Sequence, residues 1–169
     1  MRERKRSCIA ALALLAVLAA GCTGTQGTVS EKAEFTVGED IRKGDITEFY
    51  YTYDSSAFPP EYRRYRFYTE DWKYYFYHEK REGEEWPLTE KHITVSGTVN
   101  MAEDGWDGFF GYLEGGTVVE CGENLDSGDA GPWLYLYWKN DGGEYREFAF
   151  PSRQALASFE EYCEKMKGE

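Results

Sequence analysis

Between Phe49 and His78 the chain places fourteen aromatic residues in thirty, and no other feature limits its folding so tightly. Rings at that density favour strands, whose pleated and half-buried surface accepts flat bulk. Three windows of strand length carry them: I-T-E-F-Y-Y-T-Y (Ile46 to Tyr53), Y-R-R-Y-R-F-Y-T (Tyr62 to Thr69) and W-K-Y-Y-F-Y-H-E (Trp72 to Glu79). The first two flank D-S-S-A-F-P-P-E, whose prolines cannot continue a ladder. Only Glu70 and Asp71 separate the second from the third, a spacing that predicts a hairpin.

With Glu70 and Asp71 as the turn, Thr69 faces Trp72, Phe67 faces Tyr74, Arg66 faces Tyr75, Tyr65 faces Phe76 and Arg64 faces Tyr77. Successive side chains alternate between the faces of a strand, so the residues sort into two sets. Trp72, Phe67, Tyr74, Tyr65 and Phe76 read as core. The opposite face collects Tyr62, Arg64, Arg66, Tyr68, Lys73, Tyr75 and Tyr77, with Glu79 beside them. Cations alternating with tyrosines on that face can stack on the rings, each contact contributing about 0.5 to 1 kcal/mol where exposed.

The rest of the chain supplies further strands and two helices. H-E-K-R-E-G-E-E reads as a charged turn, with Trp86-Pro87-Leu88 placed to anchor it. Thr94 to Val99 reads as a strand with Val95 and Val99 on one face. Asn100 opens N-M-A-E, a capping-box pattern, before a stripe of Trp106, Phe109, Phe110 and Leu113. Gly105, Gly108 and Gly111 weaken that helix by roughly 1 kcal/mol each against alanine, so packing must hold it. A short strand from Thr117 to Cys121 follows, then a hairpin about Asn140 to Gly143. The first strand of that hairpin has Leu134, Leu136 and Trp138 on one face and Trp133, Tyr135 and Tyr137 on the other, as a central strand would. Ser152 caps a last helix whose Leu156, Phe159, Cys163 and Met166 share a stripe. The fold class is α+β: an antiparallel sheet of about six to seven strands, with one helix near 101–114 and another near 152–167.

The N-terminus speaks to location. Arg2, Arg4, Lys5 and Arg6 precede an apolar run from Ile9 to Ala20, which is too short for a bilayer but suits a secretory signal. It ends in L-A-A-G-C, Leu18 to Cys22, which resembles the lipobox of bacterial lipoproteins. The resemblance covers the export segment alone and departs from the commonest form by Ala19 three positions before the cysteine. It implies cleavage after residue 21, a diacylglyceryl group on Cys22, and attachment to the extracytoplasmic side of the bacterial cell membrane. An ordinary signal peptide cleaved within Ala16 to Ala20 is the alternative. The expected organisation is a signal peptide (1–21), a lipidated cysteine with a polar tether (22–34) and one globular domain (35–169). Loss of the leader removes four positive charges and one negative, taking the formal net charge from -12 to -15. Such a chain is repelled by phosphate backbones, which argues against a nucleic-acid partner.

Little in the sequence points to chemistry. Cys121 and Cys163 are a candidate disulfide in an exported chain, with a buried free cysteine at Cys163 the alternative. His78 and His92 lack ligand spacing and read as edge or loop residues. Glu123, Asn124, Asp126 and Asp129 offer hard oxygen donors without the order of a calcium loop, and read as an acidic surface turn. No nucleophile elbow, zinc-protease motif or phosphate-binding loop occurs, and no catalytic residue, metal or cofactor is assigned. The expectation is a cell-envelope binding or assembly module that meets a glycan or an envelope protein through its tyrosine and arginine face. An envelope hydrolase using a carboxylate pair is the alternative.

Overall fold

The computed structural model describes residues 33–119, 131–140 and 142–168. Eight strands form one sheet: β1 (Glu34–Thr36), β2 (Ile46–Ser55), β3 (Glu61–Glu70), β4 (Lys73–Glu82), β5 (Ile93–Met101), β6 (Thr117–Val119), β7 (Trp133–Trp138) and β8 (Tyr145–Ala149). Helix α1 (Glu103–Leu113) lies between β5 and β6, and α2 (Arg153–Met166) ends the fold. The strand order is β1-β6-β8-β7-β2-β3-β4-β5, with every neighbouring pair antiparallel. The α+β class stands, and the count is eight rather than six to seven. The additional strand is β1, three residues at the edge of the expected tether, too short to show a pattern.

Both helices cover the same face of the sheet. Phe49, Tyr51, Tyr65, Phe67 and Phe76 from β2, β3 and β4 are fully buried beneath Trp106, Phe109 and Leu113 of α1 and Phe159 and Cys163 of α2. The rings interlock: Phe67 stacks on Phe109 at 4.0 Å and lies 4.7 Å from Phe76, while Phe49 meets Phe159 edge-on at 5.2 Å. Aromatic pairs of this kind add about 0.5 to 1.5 kcal/mol each beyond the area they bury. Helix α1 survives its glycines because of this packing and because the Tyr162 hydroxyl of α2 donates to the Gly105 carbonyl at 2.9 Å. Its N-cap is Ala102, without a side-chain cap, because Asn100 remains in β5; the expected capping box is not formed. Ser152 does cap α2, accepting from the Ala155 amide at 3.1 Å.

The hairpin differs from expectation by one position. The turn is Asp71-Trp72, both with positive φ (49° and 63°), as a two-residue hairpin turn of mirror-image type needs. Glu70 therefore pairs with Lys73, Phe67 with Phe76, Tyr68 with Tyr75, Arg66 with Tyr77 and Arg64 with Glu79. This register sets opposite charges next to the turn and phenylalanine against phenylalanine. It keeps the face of every strand residue, since moving the turn by one residue shifts the pairing by two. Trp72 is the exception: expected in the core, it sits at the turn fully exposed. Strand β7 lies centrally, between β8 and β2, as its two apolar faces suggested.

Candidate functional site

The face of the sheet opposite the helices carries the alternate residues of the same strands. Strand β2 contributes Glu48 and Tyr50, β3 Tyr62, Arg64, Arg66 and Tyr68, and β4 Tyr75, Tyr77, Glu79 and Arg81. Strands β7 and β8 extend it with Tyr135, Tyr137 and Tyr145. All seven residues singled out from the sequence lie here, within or beside one continuous patch. Their burial is uneven: Tyr62 is buried, Lys73 is exposed, and the other five are partly covered.

The patch is organised by two carboxylates. Glu48 takes a forked contact from the Arg66 guanidinium, with Nη2 at 3.2 Å from Oε2 and Nε on Oε1. Two-pronged pairs of this kind fix orientation as well as adding energy. Glu79, with its side chain only 2 % exposed, accepts from Arg81 and from the Tyr77 hydroxyl at 2.6 Å, and lies 3.7 Å from Arg64 Nη1. Arg64 Nε in turn donates to the Tyr50 hydroxyl at 2.7 Å. Three guanidinium groups lie over rings: Arg66 over Tyr68 at 4.2 Å, Arg64 over Tyr50 at 4.9 Å and Arg81 over Tyr62 at 4.1 Å. Tyr68 and Tyr75 stack at 5.2 Å, and Tyr145 leans on Tyr137 at 5.2 Å and on Tyr50 at 6.2 Å.

The loop after β4 closes one end of this face. Leu88 is buried, its carbonyl accepts from Arg81 Nη1 at 3.0 Å, and Trp86 Nε1 donates to Asp54 at 3.0 Å. The Trp86 to Leu88 anchor expected from the sequence is thus in place. It explains why Glu79 and Arg81 are buried while Arg64 and Arg66, further along the strands, remain partly open.

Protonation states follow from these contacts. Burial and the hydrogen bond to Glu79 push the Tyr77 hydroxyl up to about 12. Burial raises Tyr62, and burial together with a bond to Glu48 raises Tyr145. Tyr62, Tyr77 and Tyr145 are therefore neutral donors and acceptors at ordinary pH. Both interior carboxylates are engaged by arginines, and neither is aimed at an open space as a general acid or base. The arrangement suits recognition: flat rings, oriented hydroxyls, and cations held in place by their own partners.

The other sequence candidates have structural roles. His78 is buried on the helix side, its ring 5.8 Å from Phe76 and pressed against Gly97, where an added Cβ would come within 2.8 Å of Nε2. Burial lowers its pKa, as does nearby Lys167, against an opposing effect from Glu164. His92 accepts from the Thr89 amide at 2.9 Å through Nδ1 and closes a single 3-10 turn. Cys163 is a free thiol buried under the sheet, its pKa pushed well up by that burial. Cys22, Cys121 and the acidic residues Glu123 to Asp129 lie outside the described residues. Among the described residues no group of three or more His, Cys, Asp or Glu side chains is arranged to hold a metal ion.

Sequence reasoning missed Glu48, Tyr50, Arg81 and Tyr145. Alternation along each strand was the signal available for them, since Glu48 and Tyr50 have the opposite parity to Phe49 and Tyr51. Their neighbours were hidden because β2 pairs with β7 across about ninety residues of chain, Phe49 opposite Leu136. No protein family, curated protein or solved structure matches this chain.

Proposed function

We propose that this protein is a lipid-anchored module of a bacterial cell envelope, and that the tyrosine and arginine face of its sheet is where it meets a glycan or another envelope protein. Support for the anchor is the sequence alone: the basic start, the apolar run and L-A-A-G-C ending at Cys22. Two acyl chains hold a protein at a membrane where one is marginal, each buried CH2 contributing about 0.8 kcal/mol. Support for the contact surface is one observation. Both described helices pack on the opposite side, while this side holds rings and guanidinium groups fixed by one another before any ligand arrives. Side chains ordered in advance lose less entropy on binding.

The test is site-specific photo-crosslinking in living cells. A photoreactive amino acid in place of Tyr75 or Tyr68 yields adducts of defined mass, whereas one at Ala157, exposed on α2, yields none. Adducts of equal yield from all three positions, or from Ala157 alone, would remove this face as the contact site.

A further inference from the structure

We propose that β5 is an interface at which a second copy of this chain adds its own β5, antiparallel, to continue the sheet. Among the described residues β5 pairs with β4 on one side only, so its outer edge presents unpaired amide and carbonyl groups along nine residues. The other edge strand, β1, is three residues long and carries Glu34. Exposed edges are ordinarily blunted by charge, proline or shortness, because an open ladder recruits other strands. Strand β5, I-T-V-S-G-T-V-N-M, has none of these. The two other strands without a charged side chain, β6 and β7, are each paired on both sides. Strand β5 thus has the composition of an interior strand and the position of an edge. Two of the large apolar side chains left open on the molecule, Ile93 at 36 % and Val95 at 49 %, lie on it.

The pattern of β5 selects its own copy as the occupant. From Val95 onward its odd positions, Val95, Val99 and Met101, share the helix side of the sheet with Gly97 between them, and its even positions are Ser96, Thr98 and Asn100; a bulge at Thr94 sets Ile93 opposite Arg81, on the other face. Antiparallel pairing about Gly97 sets Val95 opposite the partner's Val99 and Ser96 opposite the partner's Thr98. Apolar meets apolar on one face and hydroxyl meets hydroxyl on the other, the pairings that stabilise cross-strand neighbours. A two-fold interface is self-complementary, residue i meeting j and j meeting i, so every charge on the strand would be present twice along the seam. In a chain of net charge -12, a nine-residue edge free of charge is the place where two copies approach without that repulsion. Gly97 keeps the centre of the edge flat, with the His78 ring filling the space where a Cβ would stand.

The test uses the full chain, carrying Cys121→Ser, in the membranes of the cells that produce it. Ser96→Cys and Thr98→Cys, both at exposed positions, are introduced in separate copies and produced together, then oxidised. The proposed register brings Cα 96 within about 5.5 Å of Cα 98 of the partner, inside disulfide range, whereas two copies of position 96 lie about 8 Å apart. The expected result is a disulfide-linked dimer about tenfold more abundant from the mixed pair than from either single variant. Val95→Glu, which places a carboxylate opposite Lys80 within its own sheet and opposite the partner's Val99 across the interface, is expected to reduce it by about tenfold without changing the circular dichroism spectrum. Equal yields from single and mixed variants, or a dimer indifferent to Val95→Glu, would overturn the proposal. So would a disulfide joining the Ser96→Cys variant to a different protein with no homodimer, which would assign the edge to a foreign strand.

Discussion

The two faces of the central strands use the same side chains for opposite purposes. Tyr51 and Tyr65, on the helix side, are fully buried rings stacked at 5.3 Å, and only their hydroxyls reach outward, to Glu160 and Glu164 of α2. Tyr50, next to Tyr51, and Tyr68, three positions beyond Tyr65, keep part of their surface open and take arginines as cover instead of helices. One face is held by area removed from water, at about 25 cal/mol per Å². The other is held by paired geometry, in which Arg64, Arg66 and Arg81 each have a carboxylate, a hydroxyl or a ring. A face of the first kind tolerates no loss of volume, and one of the second kind tolerates no loss of a buried partner.

The largest effect is expected on the helix side. Phe67→Ala removes the ring that contacts Phe109, Phe76 and Phe159, and large-to-small changes of this kind cost about 3 to 5 kcal/mol. Urea unfolding is expected to show a midpoint shift of that size. A loss below about 1 kcal/mol would mean that the two helices do not depend on this ring and that the contrast between the faces is misplaced.

On the polar face the most sensitive position is Glu79. Removing its carboxylate leaves Arg81, which is 8 % exposed, as a buried charge whose remaining hydrogen-bond acceptor among the described residues is the Leu88 carbonyl. Breaking a buried pair from one side costs about 3 kcal/mol, so Glu79→Ala is expected to destabilise nearly as much as Phe67→Ala. Arg66→Ala, whose partner Glu48 is nearer solvent, is expected to cost about 1 kcal/mol. If the two polar variants proved equal, the loop from Trp86 to Leu88 would not be the lid that makes Glu79 different.

How much of this was legible in the sequence depends on the range over which each feature is determined. The division of rings between faces was legible because alternation is local and survives a register shift. Alternation assigns Phe67 and Phe76 to the core, and Tyr68 and Tyr75 to the other face, even with the turn set one residue early. The turn is hard to place because its second residue is Trp72 and not glycine, so nothing at that position advertises the positive φ it adopts beside Asp71. The charge lattice was only half visible. Arg64 and Arg66 stand out, but the Glu48 pairing depends on β2 and β3 lying side by side across a proline-containing loop. Asn100 misleads, because a capping pattern also fits a residue that ends a strand.

A pH series separates the faces further. His78 belongs to the helix side, and its pKa in the folded protein lies below the ordinary 6.5 because of burial, reinforced by Lys167. The unfolded chain therefore takes up this proton first as pH falls. Stability from this group is complete above about pH 6.5, declines below it, and stops declining once the folded pKa is passed. His78→Asn is expected to remove that part of the slope, seen as a smaller difference between unfolding midpoints at pH 7.5 and pH 5. An unchanged slope would place the titrating group elsewhere.

The smallest effect on stability is expected where the contact surface is proposed. Tyr68 and Tyr75 stack on each other, and Arg66 lies over Tyr68, interactions worth about 0.5 to 1 kcal/mol each where partly exposed. The double variant Tyr68→Ser and Tyr75→Ser is therefore expected to lose at most about 2 kcal/mol, well under the loss from Phe67→Ala, and to keep a native circular dichroism spectrum. Tyr77 is the wrong position for this experiment despite lying on the same face, because its hydroxyl helps to hold Glu79 and its removal would disturb the buried pair. A loss of the Tyr68 and Tyr75 variant comparable to that of Phe67→Ala would make those rings part of the structural core. A small loss joined to the disappearance of the adducts formed from a photoreactive residue at Lys73, exposed on the same face, would leave recognition as the reason for their presence.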